Sequence, residues 1–315
     1  MAIVRPDLLS PSHFKYRSWW VIFLGALFIA FSCSKSEVGE GEYVYDSAYN
    51  HYIIRRKGAV VEMFHVRETT DWRESAVDLD NPLRQVIPYT STLFAGIFFK
   101  NNPSKVLMIG LGGGGFNRLF NAAFPGAILQ SVELDPVALQ LANKHMGFRE
   151  TDKNLVSILD GRLFIRKTKK KWDWIILDAF RGGEVPFHLK TKEFYAETKK
   201  SLSYGGIVIS NLHFGNLLYY SDVKTLQSSF SQVIFFKVRN RGNVIAIAAN
   251  YDSPKLLDQV ARYKISLANS VLRNYLDLQA IKEDTITLPE HTLEKTAQVL
   301  TDDFAPVEYL RSVEK

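Results

Sequence analysis

Three carboxylates, Glu133, Asp160 and Asp178, each close an apolar segment of the chain, and a glycine cluster at Gly110–Gly115 closes a fourth. These residue types suit a ligand that carries hydroxyls and a reaction that releases a proton. A carboxylate at the end of a strand can accept both hydroxyls of a ribose, which is the chemistry expected of Glu133 in "SVELD". Asp178 ends "WIILD", a run otherwise apolar, so its charge must be solvated or bound to something. A carboxylate placed in that way can orient a nucleophile or take its proton. Asp160 in "ILDGR" is followed by Gly161, which permits close backbone approach. A helix cap is the alternative reading of Asp160, and Asp135, just before Pro136, reads as a cap. Gly110, Gly112 and Gly115 fit G-x-G-x-x-G, where backbone turns sharply and approaches a ligand at the end of a first strand.

These residues need a frame that brings strand ends together. From Lys105 the sequence alternates apolar strand patterns with amphipathic helices: "KVLMIG", "FNRLFNAAF", "AILQSVELD", "PVALQLANKHM", "LVSILD", "WDWIILDAF", "TKEFYAETKKSL" and "GGIVISNL". This order implies an α/β fold with a parallel sheet covered on both faces. All four ligand-facing elements then fall at carboxyl ends of consecutive parallel strands and line one crevice. "VIFFKVR" and "VIAIAA", joined through "NRGN", form a terminal antiparallel hairpin. Upstream, "YVYDSAYNHYIIRRKG" and "AVVEMFHVRE" read as a small antiparallel β-domain with a turn at "RKG". Residues 1–33 form a leader or anchor. Residues 34–102 hold a linker, the β-domain and a connecting helix. The α/β domain spans 103–252, and 253–315 form a helical tail.

The terminal hairpin resembles the sheet end of class I S-adenosylmethionine-dependent transferases, a Rossmann-like fold, and speaks against a nicotinamide dehydrogenase. Over about Tyr43–Leu218 the chain resembles the spermidine synthase (polyamine aminopropyltransferase) family, on "ESAVDLDNPLRQVIPY", the glycine-rich loop, "VELDP", "DGR" and "WDWIILDAF…GEVPFHL". "LDAF", "PFHL" and the "LTDDFAPVE" ending are most similar to its spermidine synthase-like branch. The resemblance implies a sulfonium donor, decarboxylated S-adenosylmethionine or S-adenosylmethionine, with no metal. It also implies a small-molecule acceptor, an amine or another nucleophile, and dimerisation through the β-domain. A methyltransferase, or a non-catalytic nucleoside-binding module on the same fold, is the alternative. In this light Asp160 faces the adenine, Tyr89 packs against the donor, and Asp178 acts on the acceptor amine. His188 in "PFHL" is either a second acid/base group or part of a loop over the site.

The departures from the family pattern concern the acceptor. Relatives carry an aspartate in the glycine-rich loop where Gly113 stands, and a second acid after the fourth strand where Arg181 stands. Their acidic and hydrogen-bonding residues upstream fall on Thr90 and Ser91, and Glu74 falls where they often have glutamine. A pocket that loses acids and gains a guanidinium favours an anionic or neutral acceptor over a diamine.

The net charge is +6, and the basic run "RKTKKK" at 166–171 reads as a solvated face rather than a nucleic-acid site. The one cysteine, Cys33, excludes an internal disulfide. Arg5, Lys15 and Arg17 precede the apolar run Trp19–Ser32, an arrangement like a secretory signal and short of the ~20 residues of a membrane span. "AFSC" resembles a bacterial lipoprotein cleavage box, with Ala30 where leucine is usual, so Cys33 is the expected lipidation site. This implies a membrane-associated cell-envelope protein. An uncleaved anchor or an ordinary buried segment of a cytoplasmic protein are the other readings.

Overall fold

The computed structural model describes residues 41–67, 70–181, 183–252, 254–288 and 297–303. The leader, with Cys33, lies outside them, as does the tail beyond Asp303. The described residues belong to one compact unit. Among them, no helix is long and apolar enough to cross a membrane.

The chain opens with a four-stranded antiparallel sheet: β1 (Gly41–Asp46), β2 (His51–Lys57), β3 (Val60–Arg67) and β4 (Thr70–Asp78), in sequential order. The segment "YVYDSAYNHYIIRRKG" holds two of these strands, β1 and β2, which turn at Ser47–Asn50. There Ser47 Oγ accepts the N–H groups of Tyr49 (3.0 Å) and Asn50 (2.8 Å), a local side-chain turn. β4 is a further strand, and its charged outer half, "TDWRE", hid it from periodicity. A short helix, α1 (Pro88–Thr92), and a 3-10 turn at Leu93–Phe98 lead into the second layer.

That layer is an eight-stranded mixed sheet. Its elements in chain order begin with β5 (Lys105–Ile109), α2 (Gly115–Ala123), β6 (Ile128–Glu133), α3 (Pro136–His145), β7 (Asn154–Ile158) and α4 (Gly161–Lys167). β8 (Trp172–Leu177), α5 (Lys192–Lys200), β9 (Leu202–His213), α6 (Tyr219–Ser229), β10 (Gln232–Lys237) and β11 (Asn243–Ala249) follow. With β12 (Thr285–Ile286) at one edge, the strand order is β12-β10-β11-β9-β8-β5-β6-β7, with β9 to β7 parallel and β10–β11 an antiparallel hairpin. This is the α/β frame with a terminal hairpin that the sequence implied. The tail holds α7 (Leu256–Arg262), α8 (Ser270–Tyr275) and α9 (Leu278–Glu283), but it is not all helical. β12 (Thr285–Ile286) pairs with β10 and covers that sheet edge.

Alternation along each central strand builds two cores. Val106, Met108, Trp174 and Ile176 face one, while Leu107, Ile109, Ile175 and Leu177 face the other. The small sheet packs Tyr52, Ile54, Met63 and Val77 on Ala138, Leu141 and Met146. A polar peg fixes this docking. Asp135 is 1% exposed and caps α3 through Val137 N–H (2.9 Å). It also accepts from Tyr52 Oη (2.9 Å) and Ser47 Oγ across the layer boundary. Bonds of this charged kind contribute about 1.5–3 kcal/mol each. The basic run ends α4 and is mostly exposed.

Candidate active site

The carboxyl ends of β5, β6, β7 and β8 open into one cavity of about 410 Å³, roofed by β4 and by the loop after β8. Gly110, Gly112, Gly115 and Glu133 line it. So do Asp160, Gly161, Tyr89 and Asp178, with Arg181 and His188 at its exposed rim.

The glycine loop is shaped by packing as much as by any ligand. Gly110 has φ +108°, and a Cβ there would lie 2.4 Å from the Asp178 carbonyl, so only glycine lets β5 and β8 end side by side. Gly113 does not line the cavity. Its N–H donates to Ser75 Oγ at 2.7 Å, and a Cβ there would meet Met146 at 2.5 Å. The position where relatives carry an aspartate is therefore filled here by Ser75 and Met146.

Glu133 is set up to hold a diol. Oε2 accepts Leu111 N–H (3.2 Å) and Oε1 accepts Asp135 N–H (3.0 Å), so each oxygen keeps acceptor capacity for the cavity. Burial pushes its carboxyl up to about 7 despite the N–H groups of Asp135 and Leu134, with Glu74 and Asp135 adding repulsion.

Asp178 is gripped from both sides. Asn211 Nδ2 donates to Oδ1 (2.8 Å) and Tyr89 Oη donates to Oδ2 (3.2 Å). Burial outweighs these donors and lifts its carboxyl to about 7, and Glu74 adds to the rise. Burial and then the neighbouring Asp178 hold the Tyr89 phenol well above its ordinary range, so it is a donor.

Asp160 caps α4 through Leu163 N–H (2.9 Å), and its other oxygen meets His188 Nε2 at 2.7 Å. Burial raises its pKa, but Leu163 and His188 together outweigh that and hold it below the ordinary value. His188 is thus seated on Asp160, at the rim. The Arg181 guanidinium donates to the Tyr49 carbonyl at 2.7 Å, which closes the rim between the β8 loop and the β1–β2 turn.

Sequence reasoning missed Asn211 and Asn243, and it noted Glu74 only as a departure from the family pattern. Glu74 on β4 enters the cavity beside Ser75 and contacts His65 Nδ1 at 3.3 Å. Its charge acts on Glu133, Asp178 and Tyr89. Glu74 thus adds a carboxylate to the cavity from the small sheet. Asn211 lies near the carboxyl end of β9, the fifth parallel strand, and the strand-end rule could have found it. Among the described residues no group of three or more His, Cys, Asp or Glu side chains is placed to hold a metal ion.

A family model described as the spermine/spermidine synthase domain matches residues 88–251. A polyamine aminopropyltransferase of Vibrio vulnificus is 30% identical over 237 residues, which cover 72% of this chain and 77% of that protein. The chain belongs to the spermine/spermidine synthase family. Solved structures agree on the fold of this family. A probable spermidine synthase from Corynebacterium glutamicum aligns with a TM-score of 0.60 at 16% identity, covering 75% of this chain and 94% of that one. The spermidine synthase of Thermotoga maritima gives 0.58 at 19% identity, covering 79% and 84%. Membership makes the chain a transferase of the aminopropyltransferase group, and the cavity at the strand ends is its candidate active site.

Proposed function

We propose that this protein transfers an aminopropyl group from decarboxylated S-adenosylmethionine to an amine. The observation that carries the reading is Asp178, half-buried, doubly hydrogen-bonded and facing the same cavity as the diol-binding geometry of Glu133. The donor's ribose sits on Glu133, and its sulfonium lies toward Asp178. The cation favours the ionised form of both acids, whose charges are otherwise held back by burial.

The acceptor nitrogen attacks the carbon bonded to the sulfonium sulfur. The C–N bond forms as the C–S bond breaks, and the bonding pair goes to sulfur, which leaves as a neutral thioether. Asp178 takes one proton from the acceptor nitrogen, while Tyr89 and Asn211 fix the direction of its carboxylate. Catalysis is mainly positioning, since sulfonium is already a good leaving group. The chain of residues that supports this, rather than plain binding, is the pair of donors on Asp178: a solvated structural acid needs neither.

The test is calorimetry of the full-length protein with decarboxylated S-adenosylmethionine, S-adenosylmethionine and methylthioadenosine, followed by methylthioadenosine release over an amine panel. Binding of the decarboxylated donor with amine-dependent release is expected. Binding of none of the three would end the proposal, and methyl transfer from S-adenosylmethionine would replace it.

A further inference from the structure

We infer that the acceptor is an amine that also carries a carboxylate, held by Arg241 and Arg181 at the rim of the cavity. This rests on the reading of the site as an aminopropyltransferase and names its acceptor class.

The cavity is electrically divided. Glu74, Glu133, Asp160 and Asp178 lie where β4 and the ends of β6, β7 and β8 converge. The opposite wall is built by the β9 end and the β10–β11 turn, through His213, Arg241, Gly242 and Asn243. Burial pushes His213 down, toward the neutral imidazole, so the positive charge on this side comes from arginine. Arg181, on the loop after β8, also lines the cavity and reaches the β1–β2 turn at Tyr49.

Among the described residues neither guanidinium has a carboxylate partner; the Arg181 side chain donates to the Tyr49 carbonyl through one of its nitrogens. Arg73, which lines the cavity from β4, is different: Glu62 holds it at 2.6 Å. The turn that carries Arg241 is also built rather than loose. Asn240 adopts φ +57°, Arg241 N–H donates to the Val238 carbonyl (3.2 Å), and Phe214 N–H donates to the Gly242 carbonyl (2.7 Å). Asn243 then donates to Asn211 at 3.0 Å, and Asn211 to Asp178. The turn carrying Arg241 and the group that receives the acceptor's proton thus share one hydrogen-bonded scaffold.

A substrate spanning this division presents nitrogen to Asp178 and negative charge to the rim. A guanidinium fork matches a carboxylate with two parallel bonds, whereas a diamine would set its second ammonium against two cations.

The experiment compares methylthioadenosine release by the full-length protein with 4-aminobutyrate, ornithine and lysine against putrescine and cadaverine. The carboxylated amines are expected to have a kcat/KM at least tenfold higher. Arg241→Glu and Arg181→Glu should each reverse that preference, chiefly through KM. Binding of 4-aminobutyrate to the protein saturated with methylthioadenosine should weaken at least tenfold in the same variants. A wild-type preference for putrescine, or a preference unmoved by both variants, would overturn the inference and leave the transferase reading intact. Donor binding without release for any amine would overturn the inference together with the transfer reading it rests on. Failure to bind any of the three nucleosides would remove both.

Discussion

Asn211 Nδ2 donates to Asp178 Oδ1 at 2.8 Å, and Asn211 Oδ1 in turn accepts from Asn243 Nδ2 at 3.0 Å. With its oxygen occupied in this way, Asn211 presents its amide donor, not its acceptor, to the acid. This bond lowers the pKa of Asp178, and burial overcomes it. Asp178 therefore titrates near neutrality while its orientation stays fixed.

Replacing Asp178 by asparagine should lower kcat by about 10²–10⁴-fold, the usual worth of a positioned proton acceptor. The same substitution should make the ligand-free protein more stable at pH 8, by on the order of 1–2 kcal/mol, because it removes a buried charge. Thermal unfolding and turnover of the one variant check both halves.

The pH dependence follows from Asp178 and Glu133, each raised to about 7. Turnover needs ionised Asp178, so kcat/KM should rise with pH and level off above about 7. Stability runs the other way. Between the ordinary carboxyl range and about 7 the folded state holds protons that the unfolded chain has released. These two groups therefore stabilise fully at low pH, and that contribution is lost as pH rises through 7. Asn211→Leu, which removes a donor to the carboxylate, should move the rate profile about one pH unit upward. An unchanged profile would mean that Asn211 does not act through Asp178.

Glu133→Gln should weaken methylthioadenosine binding about tenfold, since an amide accepts at only one of the two positions that the carboxylate offers. Calorimetry with the 2′-deoxy analogue is the control: its affinity should fall less.

Gly113→Asp, which restores the relatives' loop residue, should not improve turnover with diamines. It should cost about 1–3 kcal/mol, because Met146 must leave its place against the loop. Met146→Ala in the same chain should recover part of that loss in thermal unfolding.

Arg162 is buried and held by both Glu197 (2.8 Å) and Asp302 (2.7 Å), with a longer bond to the His188 carbonyl (3.3 Å). Arg162→Ala should destabilise by about 3 kcal/mol, since it breaks a buried ion pair and loosens the tail at Asp302. Nucleoside binding should weaken with it, because α4 carries Asp160 and Gly161; denaturation and calorimetry test the two effects.

Much of this protein is determined by local sequence alone. Apolar strands alternating with helices fix a parallel sheet, and the residue that ends each strand must then stand at one edge. For that reason Gly110, Glu133, Asp160 and Asp178 could be placed together without coordinates. Asp135 and Asp160 were legible as caps because a cap depends only on its own turn. What remained hidden depends on contacts between distant segments. β4 brings Glu74 over the glycine loop, and its charged outer half gave no strand pattern to read. The partners of Asp178 come from α1 and from β9, which is tied in turn to β11. Met146 occupies the space beside Gly113 from the end of α3, and His188 reaches Asp160 across the loop after β8. Only the tertiary structure decides these, because burial, charge coupling and the packing of one side chain into another's place arise when separate elements meet. The tertiary structure also gave the glycine run its fuller meaning: part of it clears room for the sheet and for Met146, and the rest opens the cavity.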